Sequence, residues 1–501
     1  MSHTTTKPLL ALAVVVLTSA CNWKDFDEYT DTAPIRVYDA PSNYRQPGFG
    51  NLLVSFETGP ETKDRSIIVG SAGRNAPVVF ERMWTGSRIG DEAIIRCKRK
   101  ADCKDAEGLG SALLQVPVWA AGTPQEETGC IVSPGVPKAY IFCDSNISAN
   151  QSWKIDLKTS SEEFPADKNS AYFSGVGLPE GHSLGVALIG SYEVSSRSMA
   201  VGRGRLFYQP DFQPAGIRSD EDEVPKLEIL PLFDPRTQEL FANDPEVGDL
   251  GYAMASAKNG ASSLLLAVSQ PSRERVIIAS YDDAQQGTPA QKLITRACVK
   301  SPAPDLVGFG KRVLLGDVNN DGLPELFVGI DPTSRDNDAS VQRVWMYRGT
   351  KLPAPEAALD DCPLWPEPVQ VGCHDGVRGV DCKNSAFGAS MAVGDVDGDG
   401  FHDLLVGAPF ATVQGGKQAG AVWLIPGGAD DASTGGLDFD AMTNLYATKK
   451  SNAHLGMAVA ALRTRDRYEP VAGAPGEDRL YTFMCSKLED DVSPTSLCLP
   501  K

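Results

Sequence analysis

Short apolar runs alternate with polar turns along most of the chain. Examples are "VVFERMW" (78–84), "RLFYQ" (205–209) and "AVWLIPGG" (421–428). Apolar runs of this length, bounded by Gly, Pro, Asn and Asp, are typical of β-strands. The 48 Gly and 35 Pro add many candidate tight turns. The pattern therefore predicts an all-β protein.

The runs are organised in seven successive units, which follow one another at intervals of 59 to 78 residues. Each unit opens with an aromatic residue or Leu followed by Gly, reaches a small-residue terminator such as "VGAP" 17 to 23 residues later, and then has a third apolar run. The opening pairs are Phe49-Gly50, Leu109-Gly110, Leu184-Gly185, Leu250-Gly251, Phe309-Gly310, Phe387-Gly388 and Leu455-Gly456.

Most units offer a fourth strand, predicted at 92–97, 153–157, 226–232 and 291–298 in the first four. Four-stranded sheets repeated at this interval describe the blades of a β-propeller, and seven of them close a ring. Seven separate small domains are the alternative, but units this short could not each bury a core. The last unit lacks a fourth run, whereas "IRVYDA" (35–40) precedes the first unit. We expect this N-terminal run to become the outer strand of the seventh blade and to close the ring.

Two acidic loops stand directly before apolar runs. The first lies within "GDVDGDGFHDLLVGAP" (394–409), where four Asp hold positions 1, 3, 5 and 9 and Gly holds position 6. Alternate oxygen ligands with a backbone carbonyl at position 7 suit Ca²⁺, and four carboxylates without a cation would repel one another. An acidic turn without metal is the alternative. The predicted ligands are Asp395, Asp397, Asp399, the carbonyl of Phe401, and Asp403.

The second acidic loop, "DVNNDGLPE" (317–325), repeats this spacing with Asn at position 3 and Glu at position 9. Asn in place of Asp removes one negative charge, and Glu in place of Asp lengthens one side chain. Both changes predict weaker calcium binding than in the first loop. Neither loop is an EF-hand, because an apolar strand-like run follows in place of Glu at position 12 and a helix. The predicted ligands of this second site, which we expect to be structural like the first, are Asp317, Asn319, Asp321, the carbonyl of Leu323, and Glu325.

The order Phe-Gly, then the acidic loop, then Val-Gly-Ala-Pro resembles the FG-GAP repeat of the integrin α-subunit β-propeller and its bacterial relatives. The resemblance is strong in units five and six, moderate in unit seven, and rests mainly on spacing in the first four. It implies a propeller over residues 34–487, followed by a C-terminal tail at 488–501. It also implies protein or glycan ligands, with calcium serving stability.

The N-terminus predicts export. Residues 1–20 contain one Lys and an apolar stretch too short to span a bilayer, as in a signal peptide. "LTSAC" resembles a bacterial lipobox, which predicts lipidation of Cys21, a tether at 21–33, and anchoring in the outer membrane or at the cell surface. Ordinary cleavage near Ala20 is the alternative.

Eleven Cys support this reading, because lipidation of one leaves an even number for disulfides in an oxidising compartment. Proximity suggests five pairs, although sequence does not fix the connectivity. The suggested pairs are Cys97/Cys103, Cys130/Cys143, Cys298/Cys362, Cys373/Cys382 and Cys485/Cys498.

A formal net charge of −18 argues against a nucleic-acid partner, which requires a basic surface. The chain has no GxSxG, HExxH or P-loop motif. We therefore expect a calcium-stabilised binding, adhesion or scaffold module for protein or glycan partners and not an enzyme. A propeller-fold polysaccharide hydrolase or lyase is the alternative, since the fold could bring distant carboxylates together.

Overall fold

The computed structural model describes the chain in segments that together carry nearly all of the predicted strands. The described residues are 35–40, 47–57, 65–71, 78–84, 87–95, 106–107, 114–119, 127–133, 136–143, 153–156, 170–179, 185–193, 205–208, 228–230, 250–259, 263–282, 286–287, 289–302, 308–329, 343–351, 368–374, 379–431, 433–463 and 468–483.

These residues form short strands, as the apolar runs predict, with two short helical turns. The first strands are β1 (Ile35–Asp39), β2 (Leu52–Glu57), β3 (Arg65–Ser71), β4 (Val78–Trp84), β5 (Ser87–Ile95), β6 (Ala106–Glu107), β7 (Leu114–Trp119), β8 (Glu127–Ser133), β9 (Val136–Cys143) and β10 (Trp153–Asp156). The next are β11 (Ser170–Pro179), β12 (Gly185–Glu193), β13 (Arg205–Tyr208), β14 (Glu228–Leu230), β15 (Met254–Lys258), β16 (Ser263–Gln270), a 3-10 turn (Pro271–Arg273), β17 (Arg275–Asp282), α1 (Pro289–Lys292) and β18 (Leu293–Lys300). The last are β19 (Arg312–Gly316), β20 (Glu325–Gly329), β21 (Arg343–Tyr347), β22 (Val369–Gly372), β23 (Val380–Asp381), β24 (Ser390–Gly394), β25 (Asp403–Ala408), β26 (Thr412–Val413), β27 (Ala421–Ile425), β28 (Thr443–Leu445), β29 (Val459–Arg463), β30 (Tyr468–Ala474) and β31 (Arg479–Phe483).

The strands form antiparallel four-stranded sheets, numbered here in chain order. Within the described segments the first to sixth sheets are β2–β5, β7–β10, β11–β14, β15–β18, β19–β22 and β24-β25-β27-β28, with β6 beside β9 and β23 paired with β26. The protein is therefore all-β, and the strands of the first, second, fourth, fifth and sixth sheets each come from one predicted unit. The predicted start of the third unit at Leu184-Gly185 is displaced, because β11 (Ser170–Pro179) already precedes it and Gly185 is the first residue of β12.

The seventh sheet has the order β1-β31-β30-β29, so the N-terminal strand pairs with the last strand of the chain as predicted. The register places Ile35 opposite Phe483 and Asp39 opposite Arg479. The fourth strands of the first units also form, although β5 begins at Ser87, earlier than predicted, because it turns back directly from Trp84.

The predicted Phe-Gly and Leu-Gly pairs have the same conformation in each of the five units where the structure describes them. The large side chain is buried, with an exposed fraction between 0% and 3%. The glycine is left-handed, with φ between 83° and 93°. An L side chain rarely adopts that backbone, which explains the Gly. The buried residues are Phe49, Leu250, Phe309, Phe387 and Leu455.

The hydrophobic core lies between neighbouring sheets. One cluster joins the fourth and fifth sheets through residues such as Ile278 and Trp345, and another joins the fifth, sixth and seventh. A third contains Phe49 from the start of the first unit together with Leu462 and Leu480 of the seventh sheet. The first unit therefore packs against the last.

Candidate metal centre

The first acidic loop connects β24 to β25 in the sixth sheet. Gly398 and Gly400 have φ values of 79° and 94°, a conformation that suits Gly at the two sharp bends. The N–H groups of Gly398 and Gly400 donate to the two carboxylate oxygens of Asp395, at 2.7 Å and 3.1 Å. The loop therefore wraps around the Asp395 side chain.

Asp397 and Asp399 each accept a hydrogen bond from the backbone two residues later. Asp397 Oδ1 lies 3.0 Å from the N atom of Asp399, and Asp399 Oδ1 lies 2.8 Å from the N atom of Phe401. These bonds use one oxygen of each carboxylate. The two carboxylates also contact each other, and besides burial this contact is one cause of the raised pKa of Asp397.

Asp403, the first residue of β25, holds the loop to the end of another strand. Its Oδ2 accepts from the Val396 N–H at 2.8 Å, and its Oδ1 accepts from the Gly427 N–H at 2.9 Å. Gly427 follows β27, so this one carboxylate connects the loop to the third strand of the sheet. Sequence analysis missed this second role of Asp403.

Three carboxylates converge in this loop. Asp395, Asp397 and Asp403 each offer one oxygen, and these oxygens lie within 4.8 Å of one another. Asp397 is 2% exposed and Asp403 is 1% exposed. Among the described residues this is the one group of three or more acidic, His or Cys side chains with that geometry.

Burial makes the charged forms of these acids costly. Desolvation, followed by repulsion from Asp399, raises the pKa of Asp397 to about 7. Desolvation, followed by repulsion from Asp397, raises the pKa of Asp403 well above its ordinary value. No cationic side chain contributes to these pKa shifts. Buried carboxylates of this kind fit a site for a hard divalent cation, because the charge of the cation would stabilise their ionised forms. The donor set is all oxygen, which suits Ca²⁺.

The second acidic loop connects β19 to β20 and repeats the backbone of the first. Asp317 accepts from the N–H groups of Asp321 and Gly322, at 3.2 Å and 2.9 Å. Left-handed residues again stand at positions 4 and 6, here Asn320 and Gly322 with φ of 56° and 82°. Asp321 Oδ1 accepts from the Leu323 N–H at 2.7 Å.

Glu325 takes the place that Asp403 has in the first loop. Its oxygens accept from the N–H groups of Val318 at 2.9 Å and of Gly349, which follows β21, at 3.2 Å. Burial raises the pKa of Glu325 to about 7. A glycine shortly after the third apolar run, in "PGG" (426–428) and "RGT" (348–350), is the sequence signal that could have revealed this bond in both units.

The two loops differ in what faces the position-9 acid. In the second loop the Asn319 Nδ2 group donates to Glu325 Oε1 at 3.1 Å, while Asn319 Oδ1 accepts from the Asp321 N–H at 3.0 Å. A neutral donor therefore stands where the first loop has a carboxylate. The carbonyls of Phe401 and Leu323 stay predictions as ligands.

Several predicted features lie outside the described residues, among them residues 1–20, Cys21 and Cys362. The predicted pair Cys373–Cys382 is confirmed as a disulfide, and Cys298 is also disulfide-bonded. Cys130 and Cys143 are direct cross-strand partners in the backbone register. In the described segments no helix has the length and apolarity needed to cross a membrane.

The model of the FG-GAP repeat family matches residues 387–425. This part of the chain is an FG-GAP repeat. The repeat begins at the buried Phe387 and ends with β27, so it contains the entire first acidic loop. The resemblance drawn from the sequence is thereby confirmed for the sixth unit, and the metal geometry lies in the same unit.

Similar proteins share only part of their length with this chain. Phosphatidylinositol-glycan-specific phospholipase D of Bos taurus is 29% identical over 167 residues, which cover 33% of this chain and 18% of that protein. Integrin alpha-5 of Xenopus laevis is 34% identical over 130 residues, covering 24% of this chain and 10% of the integrin. The chain thus spans less than a fifth of these relatives. The solved structure of an AofleA mutant from Arthrobotrys oligospora aligns over 88% of this chain and 84% of its own at 7% identity, but its TM-score of 0.36 is too low to support an argument.

Proposed function

We propose that the protein is a calcium-stabilised seven-bladed β-propeller that acts as a binding, adhesion or scaffold module for protein or glycan partners. The observation that carries the proposal is the convergence of Asp395, Asp397 and Asp403 within an FG-GAP repeat, with their oxygens inside 4.8 Å of one another. Such a cluster is costly when empty and favourable around a divalent cation.

Ring closure is supported by a relation that repeats from unit to unit. A Cβ placed on the motif glycine would meet the preceding sheet: 3.2 Å from Ser269 for Gly310, 3.0 Å from Val344 for Gly388, and 2.6 Å from the Ala421 carbonyl for Gly456. A Cβ on Gly50 of the first unit would lie 2.8 Å from the carbonyl of Arg479 in the seventh sheet. This repeated relation supports the proposal that the seventh sheet stands next to the first in a seven-membered ring.

Calcium would serve the stability of the ring in this proposal. Its ligands would be the side chains of Asp395, Asp397, Asp399 and Asp403 and the Phe401 carbonyl. The site connects neighbouring units, because the Asp395 carbonyl accepts from the N–H of Tyr468 in the seventh sheet at 2.7 Å. The second loop would bind calcium more weakly, since Asn319 brings a neutral amide.

The similarity to integrin alpha-5 supports the binding role, and the predicted signal peptide with lipidated Cys21 supports display at a bacterial outer membrane or cell surface. A hydrolase is the second candidate. The match to a protein named as a phospholipase D favours it, although that match covers 18% of the relative. The sequence alone suggests a polysaccharide hydrolase or lyase as the form of this second candidate.

The test uses residues 22–501 as a soluble protein, in calcium and in chelator. Thermal unfolding measures the melting temperature, and immobilised envelope proteins and polysaccharides measure retention and release of product. Calcium-dependent stabilisation with retention and no turnover supports the proposal. Turnover that persists through repurification would show that the protein is a hydrolase. A melting temperature unaffected by calcium would show that the acidic loops do not bind calcium.

A further inference from the structure

Two segments lie side by side at one end of the strands of the sixth sheet, opposite the end that carries the acidic loop. The chain between β26 and β27 (416–420) runs parallel to the chain that leads from β28 to β29 (449–455). The N–H groups of Asn452 and His454 donate to the carbonyls of Lys417 and Gln418, at 2.9 Å and 3.1 Å, and Gly420 pairs with Leu455. Segment 416–420 leads into the start of β27 and segment 449–455 comes after the end of β28, and both of these strand ends are remote from Asp403.

These two segments carry three exposed lysines, Lys417, Lys449 and Lys450, which we call the lysine surface. Lys450 Nζ lies 3.9 Å from Glu477 Oε1, and that carboxylate already accepts from the Tyr481 and Thr448 hydroxyls. In the part of the chain that the structure describes, no acid lies within ion-pair distance of the other two lysines. A concentrated positive surface on a chain of net charge −18 attracts anions locally.

Planar groups and an amide stand beside the lysine surface. Phe410 and His454 are half-buried and meet edge to face, with ring centroids 5.3 Å apart. Gln418 Oε1 lies 3.3 Å from His454 Nε2. Aromatic rings stack on the C–H faces of sugars, and amides hydrogen-bond their hydroxyl groups, so this combination suits a polymer of sugars more than a string of bare charges.

We propose that the lysine surface binds an anionic polysaccharide, with the ammonium groups contacting carboxylate or sulfate groups and Phe410 and Gln418 contacting the sugar rings. This inference rests on the proposed binding function and names its partner class. An anionic lipid surface fits less well, because membrane adsorption uses exposed apolar anchors. Among the described residues, Val37 is the one large apolar side chain that is exposed, and it lies on β1 of another sheet.

Two immobilised polyanions, polygalacturonate and dextran sulfate, serve as probes, with neutral dextran as the uncharged control. The test variant combines Lys417→Gln, Lys449→Gln and Lys450→Gln. The matched control combines Lys258→Gln, Lys300→Gln and Lys351→Gln, which are exposed lysines elsewhere and change the net charge by the same amount. We expect at least tenfold weaker binding to both polyanions for the test variant, near wild-type binding for the control, and no binding to neutral dextran.

A separate variant, Phe410→Leu with Gln418→Ala, tests the sugar contacts. We expect it to weaken binding to polygalacturonate more than binding to poly-L-glutamate, which has carboxylates but no sugar rings. The inference would be overturned if the test and control lysine variants lost polyanion binding equally, or if Phe410→Leu with Gln418→Ala affected polygalacturonate and poly-L-glutamate equally. It would also be overturned if the wild-type protein bound only phosphatidylglycerol vesicles, or was not retained by either polyanion. Melting temperatures in calcium and chelator are measured on each variant, so that calcium stabilisation, and with it the proposed function, is judged separately.

Discussion

Asp478 Oδ1 accepts hydrogen bonds from the N–H groups of Gly48 and Phe49, which lie 430 and 429 residues earlier, at 2.5 Å and 3.1 Å. The carbonyl of Asp478 also accepts from the Ala40 N–H at 2.8 Å. One residue in the β30–β31 hairpin therefore holds both the strand β1 and the start of the first unit. These bonds connect the two ends of the repeat array.

Asp478→Ala is expected to lower the free energy of unfolding by about 2–4 kcal/mol. Two backbone N–H groups would lose their acceptor, and Ala would have to adopt the left-handed φ of 57°. Urea unfolding measures the loss. Asp478→Asn, which keeps an acceptor oxygen and tolerates this φ, should lose about 1 kcal/mol or less. Asp39→Asn removes the exposed ion pair with Arg479 and should change stability by no more than about 1 kcal/mol. Equal losses in all three would contradict the role of Asp478.

Gly473→Ala tests the contact between the seventh and first units from the other side. A Cβ at this position would lie 1.9 Å from the carbonyl oxygen of Gly50, which is backbone and cannot move aside cheaply. We expect a loss of about 2 kcal/mol or more in urea unfolding. Gly372→Ala in β22 is the matched control, because nothing lies within 4 Å of its Cβ position. That control should unfold like the wild type.

Much of the strand order was predictable, because each unit contains a recognisable series of apolar runs separated by turn residues. The pairing of β1 with β31 followed from an unpartnered run at one end and a missing run at the other. The hydrogen bonds of Asp403 and Glu325 to Gly427 and Gly349 were not predictable in this way. They join residues 24 positions apart and depend on where the third strand ends in space.

The acidic loops should make the chelated protein less stable as pH rises. The pKa of Asp397 is about 7 in the folded protein and 3.8 ordinarily, so between these values the folded state holds a proton that the unfolded state has lost. The free energy of unfolding therefore falls from pH 4 to pH 7 and then levels. Urea unfolding in EDTA across this range measures it. Asp397→Asn should make the slope shallower without removing it, because burial also raises the pKa values of Asp403 and Glu325. An unchanged slope would show that Asp397 does not titrate as described.

Asn319→Asp should convert the second loop into a stronger calcium site. The variant replaces the Nδ2 group, 3.1 Å from Glu325 Oε1, with a carboxylate oxygen. Repulsion should lower the melting temperature in chelator, while calcium affinity should rise about tenfold through the added charge. Titration calorimetry is done in an Asp397→Ala background, which leaves the second loop as the site observed. Unchanged affinity would mean that this loop does not take the cation through position 3.

Asp397→Ala should abolish the calcium-dependent gain in stability from the first loop. Asp397 is buried, one of its oxygens lies within 4.8 Å of oxygens of Asp395 and Asp403, and its repulsion raises the pKa of Asp403. The variant in calcium should therefore melt near the temperature of the chelated wild type, as measured by differential scanning calorimetry. Asp440→Ala removes one exposed acid elsewhere and should keep the full calcium effect. If Asp397→Ala gains as much stability from calcium as the wild type, the cation is not bound between these three carboxylates.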